Sequence, residues 1–407
     1  MPGDFLVLAV NPGSSSTKVG LFRGAQPVFQ ETLYHPAQQL ACYARVVDQE
    51  EFRLSAVQEL VQAKIQGLAA AAQPGDAPIP ALAAVVGRGG LLRPVPGGTY
   101  AVDEAMLADL RAAVGGEHAS NLGGILACRL ACWWQRHAGR PVPAFVVDPV
   151  AVDEMAPVAR ITGWPGMLRR GRCHALNMRA VAREVAARHG RRYEDLALVV
   201  AHLGTGISLA AHLNGRMVDV SDPNAEGPFS VDRCGGLPAD RLVDMCEQHG
   251  TAAVRRRLIH EGGMFAYFRT RDMRHVVAMA REGDARARLL LDAMAYQVAK
   301  AIGGLVAALG RPADFIILTG ALAHARELVE AIGQRVRFLS VAPLEVVPGE
   351  RELEALALGA LRVLQGQEVA RDYAAEARRM EEQLADFSRR LAESGPPEHT
   401  SPGRMIP

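Results

Sequence analysis

Residues 6–22 read LVLAVNPGSSSTKVGLF, and the reading of this stretch decides the fold. An apolar run, Leu6 to Val10, meets a polar tract, Asn11 to Lys18, and a second apolar run follows from Val19 to Phe22. Two β-prone runs around Asn-Pro-Gly-Ser predict strands joined by a tight hairpin. Pro12 fixes its own φ, and Gly13 can take φ values closed to other residues. The turn carries Ser14, Ser15, Ser16, Thr17 and Lys18 in succession. Small hydroxyls, free backbone N–H groups and one ammonium suit a phosphate group. It is not a P-loop, because GxxxxGK[ST] is absent and strand, not helix, follows the turn. An ordinary Ser-rich hairpin has the same letters, so the rest of the chain must decide.

Half a chain later, residues 197–218, ALVVAHLGTGISLAAHLNGRMV, repeat that grammar. An apolar strand, a turn of Gly204, Thr205 and Gly206, and a second strand are followed by Asn214-Gly215, which turns into a third. Two hairpins with small-residue tips suggest a duplicated fold whose halves each present a phosphate-handling turn to a cleft.

Between and beyond them, strands and helices alternate, which argues for α/β layers. Residues 23–50 read as further short strands. Leu54 to Ala72 has helical spacing and ends in AAQPGDAPIP, a loop. Ala81 to Val86 is a strand, and Asp103 to Val114 a helix with Asp103 as N-cap. A helix after GGEHASNLGG runs to His137 and puts Cys128 and Cys132 on one face, a packing arrangement more than a metal site. Ala144 to Val147 is a strand with Asp148 at its carboxyl end, where open sheets place ligand-binding groups. Residues 169–189 are a basic loop entering an Ala-rich helix. Residues 219–238, DVSDPNAEGPFSVDRCGGLP, are rich in turn formers, with Arg233 their only cation; a long irregular segment of this kind is often functional. Helices fill 239–261 and 284–309, and Phe315 to Leu318 is a strand leading through Thr319, Gly320 and Ala321 to a helix from about His324.

Length bounds the rest: 407 residues suggest two or three domains. A net charge of +1 gives no general attraction to nucleic acid or anionic membrane. The first apolar segment is strand-length, without a basic leader before it. Six cysteines without a CxxC pair read as reduced thiols, so the expectation is a soluble, cytoplasmic, multidomain protein.

Eight blocks together resemble the acetate kinase family, and within it most closely the butyrate kinases. They are NPGSSSTK, VVGRGGLLRPVPGGTY, EHASNLGG, VVDPVAVDEM, CHALN, AHLGTGIS, EGPFSVDRCGGLP and LTGALA, spread over about residues 5–365. The resemblance implies two actin-like, ribonuclease-H-type domains facing a nucleotide cleft: 1–151 closed by about 355–365, and 152–354. It implies reversible transfer of the γ-phosphoryl of ATP to a short-chain carboxylate, giving an acyl phosphate and ADP, with Mg²⁺, in a homodimer. Acetate or propionate remain open as the acid, and an inactive actin-like nucleotide-binding module is the alternative from another class.

The resemblance also assigns roles. Asn11, Ser14, Ser16 and Lys18 match the first phosphate motif, and His202, Gly204, Thr205 and Gly206 the second. Gly320 and Ala321 fall in the adenosine motif. Arg88 and Arg233 would clamp carboxylate and phosphoryl group, while His118 and His174 would donate hydrogen bonds to the transferring group. Asp148 matches an acid of Mg²⁺ binding and catalysis, Asn11 holds metal-bound water, and Glu352 (with Glu350 close enough to be confused with it) is the late acid near Mg²⁺. Thr205, Ala321 and Cys234 depart from the residues usual at their positions, which puts nucleotide affinity in doubt. The tail, residues 366–407, carries Val369, Tyr373, Met380, Leu384, Phe387 and Leu391 at helical spacing. It predicts an amphipathic helix, then a disordered run after Ser394, and truncation after Gln365 is expected to leave turnover largely intact.

Overall fold

The computed structural model describes residues 5–71 and 81–393; the loop at 72–80 and the run after Ser394 lie outside the described residues. The opening hairpin forms as its sequence predicts. Strand β1 (Leu6–Pro12) pairs antiparallel with β2 (Ser16–Arg23), with Pro12 opposite Thr17. Strand β3 (Gln26–Tyr34) extends the meander; β4 (Leu82–Arg88) runs parallel to β1, β6 (Ala144–Val147) runs parallel to β4, and β5 (Thr99–Ala101) closes the edge. The sheet order is β3-β2-β1-β4-β6-β5.

A second sheet repeats the plan. Strands β7 (Ala197–Leu203), β8 (Ile207–Leu213) and β9 (Arg216–Ser221) form an antiparallel meander. Strand β10 (Phe315–Gly320) then lies parallel to β7, and β11 (Glu345–Pro348) parallel to β10. The order is β11-β10-β7-β8-β9, so the meander-plus-parallel pattern of the first sheet recurs.

Strands β1 and β7 are apolar without alternation because both of their faces are covered. Leu6, Leu8 and Val10 face the helices Glu50–Ala71 and Asn121–Ala138, while Val7 and Ala9 face the helix Glu352–Leu364 on the other side. In the second sheet Val199 and Ala201 face the helix Ala285–Leu309, and Leu198 and Val200 face the helix Ala175–Arg188. Ala285–Leu309 is long and apolar enough to cross a membrane by composition; here Leu291, Met294, Val298 and Ile302 are buried in the core of the second sheet.

Several expectations change in detail. After Arg23 ends β2, only Gln26–Tyr34 of the residues up to 50 is strand; Pro36 stops it, and short helical turns at Ala37–Leu40 and Val46–Gln49 follow. The Asp48 carboxylate accepts the Arg45 N–H at 3.0 Å and starts the second turn. The helix of 239–261 is two, Ala239–His249 and Thr251–His260, broken at Gly250 with φ +79°. The tail helix runs Tyr373–Glu393 and packs on its own chain. Tyr373 is buried, and its hydroxyl donates to Asp109 at 2.7 Å and accepts the Arg93 N–H at 3.3 Å. Met380, Leu384 and Phe387 face Met155 and Pro157 across a 330 Å³ cavity, whereas Val369 is exposed and outside the stripe.

Candidate active site

The ends of β1 and β2 carry the first part of the site. Asn11 lies opposite Lys18, and Gly13 closes the turn by donating its N–H to the Ser16 carbonyl at 2.7 Å. Ser14 and Ser15 are exposed at the tip. Asn11 is buried; its Nδ2 donates to Glu352, and its Oδ1 has no partner. The other Glu352 oxygen meets Arg88, at the end of β4, at 2.8 Å. Glu352 opens the helix Glu352–Leu364, where the helix dipole favours an anion.

The second hairpin supplies the opposing part. His202, at the end of β7, is buried and stacked on His174 with ring centroids 3.8 Å apart. Its Nδ1 meets Asn177 Nδ2 at 2.9 Å, and its Nε2 faces Glu350 at 3.5 Å. At the tip, the Thr205 carbonyl accepts from Ser230 Oγ at 2.6 Å and from the Val231 N–H at 3.2 Å, docking the irregular 219–238 segment onto the turn. That docking lays the Arg233 guanidinium on Gly206, where a Cβ would stand 2.3 Å from Nη1. Gly204 is constrained likewise, since its Cβ would stand 2.8 Å from His202 Nε2. Gly320 takes φ +90° and exchanges backbone hydrogen bonds with Gly349, so the turn at Gly320 and Ala321 is held against the end of β11. Thr205 and Ala321 are both exposed, so neither added side chain intrudes on the packing behind its turn.

Electrostatics tie the two parts together. His174 is held well below the usual imidazole range, first by burial, then by His202, Arg88, Arg233 and His118. His118 keeps an open face to solvent, yet the protein around it, then Arg88 and Arg233, lower its pKa too. Its Nδ1 accepts the Ser120 N–H at 3.1 Å, so the neutral ring carries its proton on Nε2. Glu350 is pulled down to about 2, chiefly by His202 and further by Lys18 and Arg88. Lys18 and Arg88 on the first sheet, His202 on the second, and Arg233, His118 and His174 therefore lie within electrostatic reach of common partners in one region. Glu350 and Glu352 both lie there: one faces His202, the other joins Asn11 to Arg88.

Asp148 stands apart. It follows Val147, the register partner of Arg88, but takes φ +37°. Its carboxylate accepts the Gly98 N–H at 2.8 Å and lies 3.5 Å from Arg179 Nε. Burial pushes its pKa up against the pull of Arg179, Arg183 and Arg362. It lines a 380 Å³ cavity with those arginines, and no described contact joins it to Asn11 or Glu352. Among the described residues no group of three His, Cys, Asp or Glu could hold a metal. Mg²⁺ prefers few protein carboxylates with phosphate oxygens and waters, so the free Asn11 Oδ1 beside Glu352 fits an ion arriving with phosphate.

The sequence reading missed the supports. Arg179 links Asp148 to Glu154, which also accepts the Gly97 and Met217 N–H groups. Ser208 holds His174 Nδ1 at 2.8 Å. Arg53 is fully buried behind the first turn. Its one signal was a cation in step with Val57 and Val61 on a helix's apolar stripe.

Residues 165–346 match the model of the Acetokinase family. The acetate kinase of Porphyromonas gingivalis superposes with a TM-score of 0.67 at 19% identity, covering 88% of this chain and 100% of that one. The acetate kinase of Entamoeba histolytica gives 0.66 at 18%, over 87% and 98%. The propionate kinase of Francisella tularensis subsp. tularensis gives 0.61 at 17%, over 87% and 98%. Residues 165–346 thus resemble the Acetokinase family, and they are set in a chain whose two-sheet α/β fold is the two-domain, actin-like fold of acetate and propionate kinases.

Proposed function

We propose that the protein is a carboxylate kinase that moves the γ-phosphoryl group of ATP reversibly onto butyrate or a short branched acid, giving an acyl phosphate and ADP. The observation that carries this reading is the Arg233 guanidinium laid on the second hairpin tip and Arg88 joined through Glu352 to Asn11 of the first, both within electrostatic reach of His118 and His174. Phosphoryl transfer asks little covalent help; it needs in-line placement and fixed positive groups around the charge on the equatorial oxygens. Arg88 and Arg233 provide planar forks from opposite sides. His118 is neutral at neutral pH and offers an Nε2 proton as a donor without adding charge. Lys18 and the first tip receive phosphate, and bound Mg²⁺, held beside Asn11 and Glu352, would neutralise phosphate charge. Asp148 acts through Arg179, holding the helix that follows His174. We take residues 1–151 with about 355–365 as one domain, 152–354 as the second, and the chain as a homodimer.

Butyrate preference rests on the VVGRGGLLRPVPGGTY block at 85–100, while acetate and propionate kinases are what the named structures are. One methylene changes burial by only about 0.8 kcal/mol, so acids of neighbouring length will overlap. Purified protein with Mg-ATP, hydroxylamine and acetate, propionate, butyrate, isobutyrate or isovalerate decides the matter. A hydroxamate maximum at four or five carbons is expected. A maximum at acetate keeps the transfer and replaces the acid; no product from protein that binds ATP makes the chain a binding module.

A further inference from the structure

We propose that Arg53 is a positioning residue that shapes the first hairpin tip into a phosphate cradle and leaves its own charge to be balanced by the bound phosphate. This rests on the kinase reading above. Arg53 sits on the helix Glu50–Ala71, behind the tip, and is wholly buried. Its Nη1 donates to the Gly13 carbonyl at 2.8 Å, the Ser16 carbonyl at 3.0 Å and Thr17 Oγ1 at 3.1 Å. Its Nη2 donates to the Ser14 carbonyl at 3.3 Å, and Gln49 Oε1 takes both Nη2 and Nε. The remaining carbonyl of the tip, Ser15, accepts the His35 N–H at 2.9 Å.

All four carbonyls from Gly13 to Ser16 are therefore bonded into the body of the protein. In a trans peptide the N–H points opposite to the preceding carbonyl, and among the described residues no cis bond is present. The N–H groups of Ser14 and Ser15, whose peptide oxygens face Arg53, consequently turn to the open side, where both side chains are exposed. Successive outward N–H groups make an anion-binding concavity. Only the five-donor guanidinium fork can hold so many acceptors at once; an ammonium has three donors.

The charge balance gives the second line of argument. Every Arg53 acceptor is neutral, and among the described residues no carboxylate pairs with it. Burial alone, unopposed by any acid, draws its pKa down to about 10. The buried Arg160 and Arg179, by contrast, each meet a carboxylate. A buried unpaired charge is costly. Its positive potential, directed through the turn, is stabilising only when an anion arrives on the far side.

The test measures Kd by calorimetry for MgATP and for adenosine, on the full chain and its Arg53→Met and Arg53→Lys variants. Arg53→Met should weaken MgATP about tenfold or more, the scale of one or two charge-assisted hydrogen bonds, with adenosine unchanged. Arg53→Lys, which keeps charge and loses the fork, should fall between. Unchanged MgATP affinity in a folded Arg53→Met protein, or equal loss for both ligands, overturns the proposal. If Arg53→Met does not fold, Arg53→Lys decides by the same two affinities. A wild-type protein that binds neither ligand removes the kinase reading itself, and the proposal with it.

Discussion

Replacing Gly206 with alanine isolates the placement of one guanidinium. The backbone of Gly206 is not in the left-handed region, so alanine fits it without strain. The new methyl would stand 2.3 Å from Arg233 Nη1 and 2.5 Å from Cζ, where ordinary contact begins at 3.4 Å. Arg233 must therefore retreat by about 1 Å, and a shift of that size in a group that stabilises the transition state costs about 100-fold in rate, or about 2.7 kcal/mol of barrier. The displaced atoms are the far end of a flexible side chain, so stability should change by only about 1 kcal/mol. Steady-state kinetics with the best acid should show kcat falling about 100-fold with KM for ATP little changed. In an Arg233→Ala background the same substitution should cost almost nothing further, because its target is gone. A Gly206→Ala enzyme within threefold of wild-type kcat, or an equal loss in both backgrounds, would refute the argument.

Acid should unfold the protein through its buried neutral histidines. His212 is fully buried beside the Tyr193 hydroxyl at 2.8 Å, and burial, with Arg179, lowers its pKa to about 3. Its unfolded form protonates near 6.5, so its stabilising contribution is complete above that pH and is lost as pH falls from 6.5 towards 3. The loss is about 2 kcal/mol at pH 5 from this residue. Melting curves should therefore show Tm dropping over that window, with a shallower slope for His212→Gln; parallel slopes would remove His212 as the cause. Truncation after Gln365, harmless by sequence alone, is expected to lower Tm and turnover. It removes Glu368, which accepts from Arg183 and Arg362, and the backbone pairing of Arg371 with Thr99 and Ala101 beside Asp148. A truncated enzyme with wild-type Tm and kcat would show the tail to be an appendage.

Both hairpins, β4, β6, and the helices after Asp103, Asn121 and Asp284 were legible because their signals are local. Apolar runs, turn residues and caps act over a few positions, and Asp103 and Asp284 do accept the N–H groups of Met106 and Ala287. Strand β11 and the short β5 were not legible. Glu345–Pro348 and Thr99–Ala101 carry little periodicity and become strand only by pairing with β10 and β6. Residues 36–50 misread as strand because their apolar bursts match either period, and local turns decided it.

Sequence by itself determined that two small-residue hairpins exist half a chain apart, and it named the arginines, histidines and acids proposed to accompany them. Only the tertiary structure decided which of those groups meet. The return of the chain at 350–352 brings Glu350 to His202 and Glu352 to Asn11 and Arg88, whereas the left-handed turn at Asp148 commits its carboxylate to Gly98 and Arg179. Arg53 shows the reason. Its letters are those of any helix cation, and its buried, acid-free place behind the turn comes from packing between segments 40 residues apart. Side-chain identity is written locally, but charge, burial and partners are properties of the folded neighbourhood.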